Sequence, residues 1–573
     1  MKKIFYIISA FCLMVGFTSC ESFLDEHIPQ GTLSDEQVKT PENAEAMVVS
    51  AYAIFTTAED INSSFSMWNF DVRSDDAYKG GSGTSDGDVF HQLEVQQGVL
   101  TTNWNINDIW VRLYNSLSRV NSAIALLNVS DFCLKQQRLA EMKFLRAYGH
   151  FLLKRLFKNI PFVVNEQLTY DEYNELSNTT YNNDEGWQLI IDDLMEAYNS
   201  LPETQEEKGR PTKAAAAAFL AKVYLYKAYR QDDAQSNQVT SISQQDLEKV
   251  IEFTNPALYR NYGLESDIHN NFRPEEQYEN GIESLWAIQY SRNDGSTYGN
   301  LNWSYGLIPP NIPGATDGGC DFYKPSQNLV NAFRTGADGL PLISSFNDKD
   351  YDMGSDNADP RLFLTIGMPG LPYMFNRSFM MERTSIWSRS NGLYGYNVSL
   401  KQNVDPALID QYLIKGSYWA SSMNRIVFRY ADVLLMRAEA YAQLGNTEQA
   451  IQLVNQIRSR AASSTQMIAN YPNTYGVKIY ITNYKGSYSK EDAVRIVKME
   501  RRLEFGMECE RFFDLVRWGD ASTVLNKYYA EEIDNCAIYR EAKFTANKDE
   551  YLPIPFAQIS ASNGHYTQNI GNW

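Results

Sequence analysis

Basic excess, histidine and paired cysteine are what this 573-residue chain has little of. Its 51 Lys and Arg face 70 Asp and Glu, a formal charge of -19. Nucleic-acid binding needs a basic footprint that displaces counterions, so that class is excluded, and anionic lipid headgroups are disfavoured. The five histidines, His27, His91, His150, His269 and His565, stand in no zinc-protease or triad setting, and neither GxSxG nor a phosphate-cradling glycine motif occurs. Of six cysteines, Cys12 lies in an apolar leader and Cys20 just after it, while Cys133, Cys320, Cys509 and Cys536 form no CxxC pair, which disfavours zinc. Asp75, Asp76, Asp86 and Asp88 lack the spacing and closing glutamate of a calcium loop. With 70 acids, a pair can always be nominated for glycoside cleavage, so their supply decides nothing. No enzyme activity, cofactor or metal is expected.

Two further absences bear on architecture. Beyond residue 19 no run is long and apolar enough to cross a bilayer as a helix, and no Pro/Gly/Ser-rich linker divides the chain. One fused helical body is therefore expected rather than several domains. The leader itself, Met1 to Ser19, opens with Lys2 and Lys3, continues as IFYIISAFCLMVGF and ends Thr18, Ser19, Cys20, the pattern of an export signal. A single cysteine after small residues resembles the bacterial lipoprotein box, which implies lipidation of Cys20; an ordinary secretory signal with a bystander cysteine is the alternative.

What is abundant is helical periodicity and aromatic rings. In NRIVFRYADVLLMRAEAYAQLGNTEQAIQLVNQIRSRA, Leu434, Ala438, Tyr441 and Leu444 recur at helical spacing, a Leu-Gly-Asn turn follows, and Ala450, Val454, Ile457 and Ala461 recur likewise. This is the pattern of a tetratricopeptide-type hairpin, which must stack on neighbours. A third helix is read through EDAVRIVKMERRLEFGMECERFFDLVRWGD, where Glu500, Glu504 and Glu508 lie four apart. Like charges at that spacing repel, so Arg501, Arg502, Arg511, Arg437 or Arg458 are expected to offset them. Earlier helices are read at Pro41–Phe55, in DIWVRLYNSLSRVNSAIALL with Trp110 toward the core, in RLAEMKFLRAYGHFLLKRLF, in GWQLIIDDLMEAYNSLP and in the alanine-rich PTKAAAAAFLAKVYLYKAY.

The runs RYADVLLMRAEAYAQLGN, ERRLEFGMECERFFDLVRWG, YLPIPFAQIS and QNIGNW, with EMKFLRAYGHFLLKRLF and the GRPT before the alanine-rich helix, resemble in motif and order the SusD/RagB-like family of outer-membrane nutrient-binding lipoproteins. The resemblance implies a mainly α fold: tetratricopeptide-like hairpins in one superhelical scaffold, decorated by long aromatic loops and a few short strands. It divides the chain into a signal (1–19), a lipidated tether (20–40), an amino-terminal helical region with a first ligand loop (41–280) and a carboxy-terminal region with two more (281–573). It further implies capture of an oligosaccharide at the cell exterior and delivery to a SusC-like TonB-dependent transporter. Capture of peptides is the alternative within the same class; a glycan-cleaving enzyme and a pure scaffold are others.

A sugar ring needs flat aromatics against its C–H face and short polar groups at its edge. Three segments supply them: Asn62 to Asn105, Gln289 to Pro325 and Met368 to Tyr396. From the first two, Trp68, Tyr78, Trp104, Tyr298, Trp303 and Tyr305 are the candidate aromatics, and Asp71, Arg73, Asp75, Arg292 and Asn293 the candidate hydrogen-bonding groups. For any one of these rings, anchoring a loop is as good an account as touching a ligand.

Overall fold

The computed structural model describes residues 39–58, 68–131, 133–166, 168–295, 299–312, 316, 319–415 and 419–573. The expected signal, most of the tether with Cys20, and Tyr298 lie outside them. Among the described residues, twelve helices reach eight residues or more: α1 Pro41–Ala58, α2 Asp88–Val95, α3 Trp104–Val129, α4 Lys135–Phe157, α5 Asn183–Ser200, α6 Lys213–Ala228, α7 Gln244–Phe253, α8 Tyr430–Gln443, α9 Thr447–Ser463, α10 Lys490–Phe505, α11 Arg511–Trp518 and α12 Ala521–Glu532. No described helix is long and apolar enough to cross a membrane.

These helices start where their side chains can satisfy the free first-turn amides. Asn103 Oδ1 accepts from Asn105 N and Ile106 N at the head of α3, and Thr212 Oγ1 from Ala215 N at the head of α6. Asn182 and Glu185 form a reciprocal capping box on α5. The successive pairs α3 and α4, α4 and α5, α5 and α6, α6 and α7 pack on one another, as do α8, α9 and α10, and α7 and α6 join the two groups through α8. Small residues permit close approach: Ala214 to Ala218 are all buried, and a Cβ on Gly149 would meet Leu117 Cδ2 at 2.8 Å. Trp110 is buried on α3 as its spacing predicts.

Strands are few and short. The longest are β1 Ala77–Gly80, β2 Ser284–Ile288, β3 Phe322–Pro325 and β4 Arg425–Arg429. β2 pairs antiparallel with β4, Ser284 opposite Arg429 and Ile288 opposite Arg425, so the expected GIESLWAIQY strand leads straight to the carboxy-terminal hairpin. β1 pairs antiparallel with β3, which stitches the first loop segment to the end of the second.

One expected helix is two. The run from Lys490 to Trp518 breaks after Phe505, and Met507 and Cys509 take left-handed φ of 65° and 64°. Glu508 thus leaves the face it would share with Glu500 and Glu504. The three acids are offset mostly from outside their own segment. Glu500 meets Arg361 and Arg458, Glu504 meets Arg361, Arg429 and Arg460, and Glu508 meets Lys401 and Arg429. Of the arginines expected there only Arg458 takes part. Arg437 bonds Ile251 O and Tyr441 instead, and Arg501 bonds Asp432 and Asp514.

Candidate functional site

The break between α10 and α11 frees Arg511 and, with Arg502, explains the first loop. Arg511 Nε and Nη2 donate to the two Asp75 oxygens at 2.8 and 2.9 Å, and Arg502 Nε donates to Asp76 Oδ1 at 2.7 Å. Burial opposes ionisation of Asp75, but the two guanidinium groups hold its carboxyl well below the usual range. Asp71 accepts a hydrogen bond from Tyr323 Oη, and burial together with Asp76 pushes its carboxyl up to about 7. Arg73 lies 3.9 Å from the Phe512 ring centroid, donates to Asp549 O, and is pushed down to about 10 by burial. Tyr78 Oη donates to Glu532 and accepts from Gln327 N. All four candidates, Asp71, Arg73, Asp75 and Tyr78, are 3% exposed or less. They are corrected from ligand contacts to the anchors of a loop clamped on the helical body. The same clamp disperses the Asp75/Asp76/Asp86/Asp88 group, since Asp86 turns to the Ser82 hydroxyl and to Arg389.

The remaining candidates divide among three places. Trp104 belongs to the first turn of α3, not to a loop. It is 49% exposed, lies 6.1 Å from Phe90, and shares its surface with Leu100 and Phe556, whose backbone N bonds Thr101 O. Trp68 sits in a one-turn helix, Trp68–Asp71, whose Trp68 side chain lies outside the description. The second loop is pinned at its base by a bridge between Ser291 and Asn300, with Asn293 exposed at φ 59° and Arg292 donating to Asp410 O. Half-buried Trp303 and Tyr305 follow beyond the paired Asn302 and Ser421. Tyr305 lines a cleft of about 40 Å³ with Ser304, Lys401, Asn424 and Glu508, room for a water rather than a sugar. In the third segment Tyr373, Trp387 and Tyr394 are buried core, not surface rings.

The roots of the first and second loops meet at a larger cavity. Thr56 Oγ1, two residues before α1 ends, lies 3.0 Å from Asn300 Oδ1 at the base of the second loop. Beside this contact is a cavity of about 250 Å³ with Phe55, Leu145, Trp286 and Ile288 as apolar lining and Tyr52, Arg210, Gln289 and Asn300 as polar lining. Trp286 is held edge-on to Phe144 and Tyr148, each 5.0 Å away, and its Nε1–H donates to Gly209 O at 2.9 Å. Gln289 is fixed by reciprocal amide bonds with Asn280 (2.9 and 3.0 Å) and by Asn424 Nδ2 at 2.9 Å. Asn424 N donates to Glu279, whose carboxyl burial pushes up to about 7. Arg210 stands 5.5 Å from the Tyr52 ring centroid and binds Glu141, Glu45 and Glu207, while Tyr52 Oη donates to Glu141 at 2.9 Å.

Sequence reasoning passed over these lining residues because they come from five separate segments. Their signals were present in part: Arg210 belongs to the GRPT motif, and Gln289 and Asn300 flank the second loop. The group presents an aromatic face, an apolar floor and amide donors and acceptors, a set suited to a neutral, hydroxyl-rich ring.

Residues 282–573 match the model of the SusD family, and residues 22–225 match one described as starch-binding associating with outer membrane. SusD-like protein P2 of Formosa agariphila is 25% identical, covering 100% of both chains. Among solved structures, a laminarin binding SusD-like protein superposes with a TM-score of 0.66 at 20% identity, covering 93% of this chain and 100% of that one. Surface glycan-binding protein A from Bacteroides thetaiotaomicron, in complex with laminarihexaose, does so at 0.62 and 20%, covering 92% and 99%. The folds agree over nearly the whole length, and the first family model alone spans residues 282–573, more than half of the chain: this protein belongs to the SusD family.

Proposed function

We propose that this protein is a surface lipoprotein that captures a neutral oligosaccharide and passes it, unchanged, to a TonB-dependent outer-membrane transporter. The observation that carries the reading is the cavity at the joint root of the two loops, with Tyr52 and Trp286 beside the amides of Gln289 and Asn300. Aromatic faces gain from sugar C–H groups, and amides serve hydroxyls as donor and acceptor at once. The laminarin and laminarihexaose in the descriptions of the structural relatives support the ligand class, and the family description supports the outer-membrane setting. Lipidation at Cys20 supplies the anchor in this reading.

Two rivals find less support. Peptide capture calls for a cation to take a carboxylate; Arg73 is buried and Arg292 is bonded to Asp410 O, which leaves Lys208 in the cavity lining for the peptide arm of the titration to test. Cleavage calls for an acid and a second carboxylate flanking the bond. Glu207, the acid in the cavity lining, instead holds the Arg210 guanidinium together with Glu45 and Glu141.

The test is calorimetric and tryptophan-fluorescence titration of the chain from Glu21 against laminari-, malto- and xylo-oligosaccharides and mixed peptides. Saturable binding to one glycan class is expected, with the ligand recovered intact and affinity lowered about tenfold by Tyr52→Ala, the scale of one aromatic contact. A response to peptides alone, or an unaltered affinity in Tyr52→Ala and Asn300→Ala, overturns the assignment.

A further inference from the structure

The cavity has a neighbour on the other side of a strap. Residues 203–212 connect α5 to α6 and cross β2, with Glu206, Glu207 and Lys208 exposed and Gly209, Arg210 and Pro211 held against the protein. Gln205 Nε2 bonds Pro211 O at 2.9 Å, Arg210 Nη1 bonds Glu141 at 2.7 Å, and the Trp286 indole bonds Gly209 O. Gly209 sits at φ 83°, where a Cβ would come within 2.3 Å of Gln289 Cγ, so the strap passes over Gln289 with no room to spare. On one side lies the cavity of about 250 Å³ already described; on the other lies one of about 290 Å³ lined by Thr212, Asn261, Tyr262, Asn280 and Ser284. Glu207, Lys208, Gly209, Arg210, Trp286 and Ala287 line both.

The two chambers differ in chemistry in a way that fits consecutive parts of one ligand. The first is floored by rings and aliphatic side chains. The second offers hydroxyls and amides: Thr212 and Tyr262 hydroxyls 2.9 Å apart, the Asn280 amide, and Asn261 and Ser284, whose side chains bond no other described residue. The Asn280–Gln289 amide pair spans the boundary, one partner in each chamber. Arg210 is committed to three carboxylates, and Glu203, Glu207 and the exposed Lys208 give the second chamber a rim of both signs around a neutral interior. Each cavity by itself falls below about 300 Å³, the lower bound of small-molecule sites, and the two lie side by side with the strap between them.

Resting on the glycan reading above, we propose that the polar chamber beyond the strap is a second subsite for neutral sugar units, so that the protein selects extended oligosaccharides that cross the strap over short ones. Ladders of laminari- and malto-oligosaccharides from two to six units are the probes, titrated against the chain from Glu21 and two variants of the second chamber. Asn261→Ala changes an exposed side chain; Ser284→Phe fills the chamber. Affinity of the unaltered protein rises with length beyond three units, and both variants cut hexasaccharide affinity about five- to tenfold, the scale of one to two hydrogen bonds, while disaccharide affinity moves less than about twofold. Thermal melts identify a variant that fails to fold, and the other then decides. A length-independent affinity, or variants that weaken every length alike, overturns the second subsite and leaves the first intact. Binding of no oligosaccharide at all overturns both.

Discussion

Glu532 illustrates how the residues between the loops and the helices trade charge for burial. It is 1% exposed, accepts a hydrogen bond from Tyr78 Oη through Oε1, and leaves Oε2 without a partner. Burial pushes its carboxyl from the ordinary 4.5 up to about 7, against the lowering effect of Tyr78. Between those two pH values the folded protein keeps a proton that the unfolded chain gives up. The contribution of this group to stability therefore falls as pH rises from about 4.5 to about 7. Glu532→Gln cannot ionise, and its melting temperature should drop less between pH 5 and pH 8 than that of the unaltered protein. Parallel pH profiles for the two would show that Glu532 does not titrate in that window. The same balance governs the first loop, where Asp71 and Arg73 look like solvated ligand contacts in sequence and are buried in the fold.

At the scale of elements, the decisive contact is between the first loop and the broken helix α10–α11. Arg502 reaches Asp75 at 3.1 Å and Asp76 at 2.7 Å, and Arg511 reaches Asp75 at 2.8 Å, across more than four hundred residues of chain. Removing one partner of a buried pair strands the other charge, which costs about 3–5 kcal/mol. Arg502→Met should lower unfolding stability by that amount in urea titrations, and adding Asp76→Asn should restore part of it. A loss below about 1 kcal/mol would mean that the clamp is not what orders the loop. Much of this element level is legible in sequence. The spacing of Leu434 to Ala461 and of Trp110, Leu113 and Leu117 locates the helices, and Ala214 to Ala218 mark a close approach. The partner of each charge is not legible. Glu500, Glu504 and Glu508 announce that cations must come, but nothing local says that Arg361, Arg429 and Arg460 supply them.

For the whole molecule, a helical scaffold carries two pinned loops whose common root is the candidate site. The proposed capture at the cell surface requires the protein to stay with the membrane, and no described helix is long and apolar enough to cross it. Cys20→Ala should release the protein from the membrane fraction and abolish incorporation of labelled palmitate, while oligosaccharide affinity of the released form stays unchanged. Retention of the variant in the membrane would remove Cys20 as the anchor. The proposed delivery to a transporter adds a separate expectation: detergent extracts should yield a complex with a large β-barrel protein encoded by the adjacent gene.

Local information determined the helices and the family resemblance, because periodicity, caps and motif order are properties of neighbouring residues. Tertiary structure alone decided which polar residues line the candidate site and which are buried against partners. Asp71, Arg73, Asp75 and Tyr78 are consumed by partners hundreds of residues away, whereas Tyr52, Arg210, Gln289 and Asn300 come together only when α1, the strap, β2 and the second loop converge. Burial and charge pairing depend on the neighbour in space, and a linear pattern holds no record of that neighbour.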